Sequence, residues 1–141
     1  MDCDFNESIG WQIYNARVLM KNKLHRKLKE FEITAEQWSV LRILHMKEGY
    51  NQKELAERCL KDRAALTRIL DILEKKELIE RKTSPTDRRE YLIYITDKGH
   101  KLYDEILPIM LKNTEENMVK FSNEEVEKLQ YLLKKLISNL E

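Results

Sequence analysis

The sequence predicts a mainly α fold with one small two-stranded β element. Three observations carry that expectation. Apolar residues recur at spacings of three and four through most of the chain, the mark of amphipathic helices. Capping sequences stand just ahead of several of these runs. Two short segments read as strands, 79–82 and the β-branched and aromatic 91–95, flank a polar, charged tip. With only three Gly and two Pro in 141 residues, the chain lacks the turn residues that a β-sandwich or barrel needs. Nothing resembles G-x-G-x-x-G, which excludes a dinucleotide-binding Rossmann domain. The hydrophobic share of 42% is enough to build a core and argues against a disordered chain.

Taken in order, Phe5, Ile9, Ile13, Met20, Leu24, Leu28 and Phe31 mark one face of a first helix over 5–31. Arg17, Lys21, Lys23, Arg26, Lys27 and Lys29 run between them, either as a solvated face or as contacts to flanking phosphates. Thr34-Ala35-Glu36-Gln37 is a capping box, in which the Thr hydroxyl accepts from the amide three residues on and Gln37 reaches back. The helix behind it turns Trp38, Leu41, Ile43 and Leu44 inward and stops near Gly49. Asn51 caps a short helix from Gln52 to about Cys59, with Leu55 and Ala56 inward. Asp62 caps the next, from Arg63 to Lys76, with Leu66, Ile69, Leu70 and Leu73 as its buried stripe. The two strands follow. Thr96-Asp97 then opens a long helix over 97–120, in which Pro108 lacks a donor and is expected to produce a kink. Ser122-Asn123-Glu124-Glu125 is a second capping box. Behind it Val126, Leu129, Leu133, Leu136 and Leu140 form the narrow seam of a coiled coil. One helix cannot hide such a seam, so it packs on the N-terminal helix, on a second copy of the chain, or on both.

Charge and composition exclude several function classes. Lys+Arg number 26 against 25 Asp+Glu, a net charge of +1, so there is no global basic signature. Residues 47–101 nonetheless carry 14 Lys+Arg and 11 Asp+Glu, while the remainder carries 12 and 14. The electrostatic part of nucleic-acid binding depends on phosphates neutralised rather than on total charge. The acidic N-terminus has no apolar core of a secretory signal, and no stretch reaches transmembrane length. Cys3 and Cys59 have no metal or redox spacing, and His25, His45 and His100 are scattered. The expectation is a cytoplasmic protein with free thiols, no cofactor, no metal and no membrane segment. Asn6-Glu7-Ser8 matches a glycosylation triplet by chance. No nucleophile–base pair or phosphate loop supports an enzyme.

Three short helices followed by a hairpin with a charged tip make a winged helix-turn-helix. Helix-turn-helix modules enter the major groove with the N-terminal end of their second helix. In this chain that end reads Asp62-Arg63-Ala64-Ala65-Leu66-Thr67-Arg68. Arg can bond guanine O6 and N7 together, Thr offers a methyl and a hydroxyl, and the two alanines permit close approach.

The residues Ile33-Thr34-Ala35-Glu36-Gln37-Trp38-Ser39-Val40-Leu41, Glu54-Leu55-Ala56-Glu57-Arg58, Leu66-Thr67-Arg68-Ile69-Leu70-Asp71-Ile72-Leu73-Glu74-Lys75-Lys76, Leu78-Ile79-Glu80-Arg81, Asp87-Arg88-Arg89 and Ile95-Thr96-Asp97-Lys98-Gly99 run in order from 33 to 99. On these residues the chain resembles the MarR/SlyA family of winged helix-turn-helix transcriptional regulators. The resemblance implies a homodimer, with 1–33 and 97–141 as the helical dimerisation region and 34–96 as the DNA-binding domain. It implies binding to a pseudo-palindromic, double-stranded DNA operator, usually as a repressor. By position it assigns base reading to Arg63, Ala64, Ala65, Thr67 and Arg68. It places Arg88 in the minor groove with Arg89 in support, and has Asp87 hold an arginine by charge-assisted hydrogen bonds. Asn51 and Gln52, at a helix N-terminus, suit a phosphate oxygen. One departure stands out. The family often has Gly where this chain has Glu77, and a left-handed Glu costs about 1 kcal/mol if the same geometry holds.

Many relatives bind a small aromatic or anionic effector between the dimer base and the winged domain. Trp11, Tyr14, Trp38 and His45 lie on the helices that would border such a crevice, where plain packing is their other reading. The methionines read as ordinary gap-fillers. Cys59 reads as a small buried hydrophobe. Cys3 is only loosely placed as a redox sensor, with Asp2 and Asp4 beside it opposing thiolate formation. The competing function is a winged-helix adaptor that contacts protein and no DNA.

Overall fold

In the computed structural model, which describes residues 7–141, the chain begins with α1 (Ile9–Leu28). Ser8 caps it, its hydroxyl accepting from the Trp11 amide at 3.2 Å. Phe5 and Cys3 lie outside the described residues. A 3-10 turn, Lys29–Phe31, and a left-handed Glu32 (φ 54°) lead to α2 (Ala35–Met46). Its expected capping box is present, with Thr34 and Gln37 exchanging two backbone–side-chain bonds of 3.1 Å. Trp38, Val40, Leu41 and Leu44 of α2 are buried, whereas Ile43 is half-buried. Gly49, at φ +85°, turns the chain into β1 (Tyr50–Asn51), a conformation that favours glycine. Then come α3 (Gln52–Cys59), α4 (Arg63–Lys75), β2 (Ile79–Thr83), β3 (Tyr91–Ile95), α5 (Asp97–Asn117) and α6 (Asn123–Leu140). Pro108 lies inside α5.

The sheet has three antiparallel strands in the order β1-β3-β2, not two. Ile79 faces Ile95 and Thr83 faces Tyr91, while Tyr50 and Asn51 face Ile93 and Leu92 on the other edge. Two residues are too few to show the alternation that marks a strand in sequence, so β1 was invisible there. The Gly49 amide donates to the Ile93 carbonyl at 2.8 Å, and the Glu48 carboxylate accepts from the Ile95 amide at 3.1 Å. These bonds use backbone donors at an otherwise open sheet edge.

The core gathers Leu28, Leu41, Leu44, Leu55, Leu66, Leu70, Leu73, Ile79, Ile93 and Ile106, all essentially inaccessible. Leu66, Leu70 and Leu73 supply the buried face of α4. Ile69, expected with them, is half-buried. Met46 (79% exposed) and Met20 fill no gap within a single chain, contrary to expectation. Helices α1 and α2 are joined where Glu36 pairs with Lys21 and, at 3.6 Å, with His25. Desolvation raises the Glu36 carboxyl. The Lys21 hydrogen bond, a backbone bond and the nearby cationic groups outweigh that and hold it below its ordinary value. The stabilisation from this link is present above the ordinary glutamate range and is lost as pH falls through the depressed value.

The chain divides into two compact units, Met1–Ile109 and Met110–Glu141. In the first, α1 leaves Ile9 (69% exposed), Tyr14, Leu19 and Met20 bare. In the second, the expected Ser122–Glu125 capping box opens α6. That helix has no buried residue, and Tyr131 (62% exposed), Leu133, Ile137 and Leu140 are open to solvent.

The turn after α4 carries the geometry that the Glu77 departure put in question. Glu77 has φ 63°. The Leu78 amide donates to the Leu73 carbonyl at 3.0 Å, and the Glu77 amide donates to the Glu74 carbonyl at 2.9 Å. This is a Schellman termination with Glu at the left-handed position, and buried Leu78 and Leu73 make the apolar pair that accompanies it. Glu77→Gly is therefore expected to stabilise the protein by about 1 kcal/mol, read as a higher urea midpoint with an unchanged slope. A lower midpoint would show that the Lys98–Glu77 pair at 3.8 Å outweighs backbone strain.

Candidate nucleic-acid interface

Helix α4 starts where Asp62 accepts from the Ala65 amide at 2.7 Å, satisfying one of the free amides of the first turn. Opposite its buried leucines, Arg63, Ala64 and Arg68 are exposed, and Ala65 and Thr67 are half-buried. At 100° per residue, Arg63 and Thr67 lie on one line of the helix surface, with Ala64 and Arg68 on the next. The helix thus buries one face and offers guanidinium groups and small side chains on the other.

An open groove of about 790 Å³ runs between α4 and the sheet, with Gln52, Arg63, Thr67, Arg81 and Arg89 among its lining. Arg81 of β2 spans it. The guanidinium donates to Asp71 at 2.7 Å and lies 3.7 Å from Glu74. This bridge fixes the root of the hairpin to α4, and its single positive charge offsets part of the negative charge of the two carboxylates.

The hairpin tip is ordered by its own backbone. Buried Ser84 donates its amide to the Glu90 carbonyl at 2.8 Å, and the Glu90 amide donates to the Asp87 carbonyl at 3.1 Å. Asp87 does not hold an arginine side chain as expected. Its carboxylate accepts from the backbone amide of Arg89 at 2.9 Å, an Asx turn that a two-residue separation favours over a guanidinium contact. Arg88 and Arg89 are left exposed at the tip.

Asn51 and Gln52 are engaged with other protein groups. The Asn51 side chain accepts from the Glu54 amide at 2.8 Å as the α3 cap and donates to the Glu90 carboxylate at 2.6 Å. It joins α3 to the hairpin root. The Gln52 amide group donates to the Thr67 hydroxyl and, at 3.4 Å, to the Arg63 carbonyl.

Comparison with known proteins decides what this arrangement is. The MarR family model matches residues 33–91. The HTH-type transcriptional regulator MhqR of Bacillus subtilis (strain 168) is 30% identical over 117 residues, covering 83% of this chain and 81% of MhqR. The chain belongs to the MarR family. Two solved structures of similar proteins are DNA complexes. A mutant MarR from E. coli with operator DNA superposes with a TM-score of 0.88 at 30% identity, over 96% of this chain and 99% of that one. The S. aureus MepR–DNA complex gives 0.87 at 28% identity, over 94% and 98%. As a MarR-family member the chain is a transcriptional regulator rather than an enzyme. Among the described residues no helix is long and apolar enough to cross a membrane.

The other candidate residues of this MarR-family chain fall into two groups. Trp38 stacks on Tyr103 of α5 (centroids 5.0 Å apart), and His45 stacks on the same ring at 3.8 Å. The Nδ1 atoms of His45 and His100 lie 2.9 Å apart. Trp11 and Tyr14 pair with each other on α1, centroids 5.5 Å apart. Sequence reasoning missed Tyr103 and His100, as it missed Arg81 and Glu90, because each acts through a partner far along the chain. Cys59 is half-buried, and burial pushes its thiol above the ordinary range against a smaller opposing pull from Lys61. It is therefore protonated at neutral pH. Iodoacetamide at pH 7.5 is expected to label Cys59 more slowly in the native protein than in the urea-unfolded chain, read by peptide mass spectrometry. Faster native labelling would mark an activated thiol instead.

Proposed function

We propose that this MarR-family regulator is a homodimeric repressor that binds a pseudo-palindromic operator, with residues 34–96 reading DNA and the chain ends holding two copies together. The observation that carries the reading is the exposed Arg63–Arg68 turn of α4 together with the exposed Arg88–Arg89 tip. These place bidentate donors for a major groove and cations for an adjacent minor groove on one module. Arg63, Ala64, Ala65, Thr67 and Arg68 face bases, Arg88 enters the minor groove, and Arg89 supports it. Asn51 and Asp87 hold the frame, and Asn51 keeps one amide hydrogen for a phosphate. The bare apolar faces of α1 and α6 support the dimer, because a stripe of that kind is stable in water only when covered. A homodimer sets its recognition helices about 34 Å apart, one helical turn.

DNA affinity then responds to a small aromatic or anionic effector that favours one helix spacing over another. Of the four candidate effector residues, Tyr14 is the exposed one, Trp11 and His45 are half-buried, and Trp38 is closed off by its neighbours. The deciding experiment is selection of bound sequences from random duplex DNA, with sedimentation of the protein alone. An inverted repeat bound by a dimer is the expected result. Absence of DNA binding at low salt would leave the adaptor reading in its place.

A further inference from the structure

The geometry points to Gln52 as a positioning residue that commits the Thr67 hydroxyl, so that Thr67 reads thymine through its methyl group. This inference rests on the DNA-binding reading above and specifies how one residue of that interface discriminates.

A threonine hydroxyl has one proton to give and two lone pairs. In this chain the Thr67 proton goes to the Arg63 carbonyl at 2.8 Å, the backbone group one turn earlier. One lone pair receives the Gln52 amide, which also donates to that same carbonyl at 3.4 Å. The hydroxyl therefore has no proton left for the base acceptors of the major groove: guanine O6 and N7, adenine N7, thymine O4. One lone pair and the methyl remain. Of the groups displayed in that groove, the thymine 5-methyl is the apolar partner.

Gln52 is what closes the arrangement. It stands at the first position of α3 and crosses to the first two turns of α4, so its amide spans both helices of the helix-turn-helix. Without it, the Thr67 hydroxyl is held by its local bond alone, which it can give up for a base acceptor by changing rotamer. Its action is through Thr67. A phosphate contact made by the same amide would instead strengthen binding to all sequences alike.

The test uses the full-length protein and the duplex recovered by selection, in versions carrying thymine or deoxyuridine at the step that changes when Thr67 is replaced. Removing one buried methyl is expected to weaken wild-type binding about fourfold. Thr67→Val, which keeps a methyl and loses the hydroxyl, is expected to retain that ratio. Thr67→Ser, which does the reverse, is expected to bring it close to one. Gln52→Ala is expected to lower the ratio in wild-type protein and to leave it unchanged in a Thr67→Val background, with the thermal midpoint preserved. The inference is overturned if Gln52→Ala weakens thymine and deoxyuridine duplexes equally, or if Thr67→Ser retains the ratio. Both results leave DNA binding itself intact. Failure of the wild-type protein to bind any duplex removes the DNA-binding reading, and this inference with it.

Discussion

Gly99→Ala is expected to destabilise the protein by about 3 kcal/mol, the upper end of what overpacking a close contact costs. A Cβ on Gly99 would stand 2.3 Å from the Leu78 carbonyl oxygen and 2.6 Å from Ile95 Cγ1. The first neighbour is backbone and cannot rotate away. It is also held in place, because the Leu78 carbonyl accepts from the Thr96 amide at 3.1 Å. The Thr96 hydroxyl donates to the Glu77 carbonyl at 2.7 Å and accepts from the Gly99 amide at 3.0 Å. Lys98 adds a bond to the Lys76 carbonyl at 2.9 Å. The first turn of α5 is thereby laced to the turn that ends α4, and any retreat of α5 breaks several of these bonds together. A loss of this size is a large part of the total stability of a small domain. Urea unfolding should show a much lower midpoint with an unchanged slope. The fraction that stays folded should bind the operator normally, because Gly99 is buried away from the α4 face. A midpoint within experimental error of wild type would show that α5 can move off the turn, and that the tight approach is not a requirement of the fold.

The same junction shows which parts of the molecule could be read from the sequence. The caps of α2, α3, α4 and α6 were legible at Thr34, Asn51, Asp62 and Ser122, because each bonds an amide three residues on. The buried stripe of α4 was legible for the same reason, its period being local. The left-handed turn at Glu77 was visible only against the family pattern. The rest depends on pairs distant in sequence. Strand β1 exists because β3 comes back beside it. Arg81 reads as a strand residue until Asp71 and Glu74 are placed opposite it, and Asn51 reads as a plain cap until Glu90 arrives. The Asp87 expectation failed over a much shorter distance. Its carboxylate reached the Arg89 amide first, and a local backbone bond needs no ordering of a long guanidinium side chain. Gln52 is the clearest case. Its residue type and its place at a helix start suggested a phosphate ligand, and only the fold puts the Thr67 hydroxyl within its reach.

Arg68→Ala is expected to weaken binding to the selected operator by about one to two orders of magnitude per half-site, the worth of a bidentate guanine contact. In a homodimer the substitution falls in both half-sites, so the free-energy loss doubles in the complex. The fold should be untouched. Arg68 is exposed, belongs to none of the ion pairs formed by Arg81, and sits mid-helix where alanine is the better helix former. The signature that separates base reading from phosphate binding is the pattern across sequences. If Arg68 reads a base, Arg68→Ala lowers affinity for the operator far more than for random duplex, and a fresh selection loses its preference at one position of each half-site. If Arg68 only neutralises phosphate, both affinities fall by the same factor, and the slope of log K against log salt drops by roughly one for each phosphate left without its cation. Arg88→Ala is the natural contrast. A cation drawn to a narrow minor groove responds to groove width, so its loss should weaken binding more modestly and relax a preference for A·T-rich flanks. Titration of the two variants on operator and random duplex, at two salt concentrations, resolves these roles. Unchanged operator affinity for Arg68→Ala would remove Arg68 from the base contacts and leave Arg63 as the one cation of α4 before Lys75 that could make them.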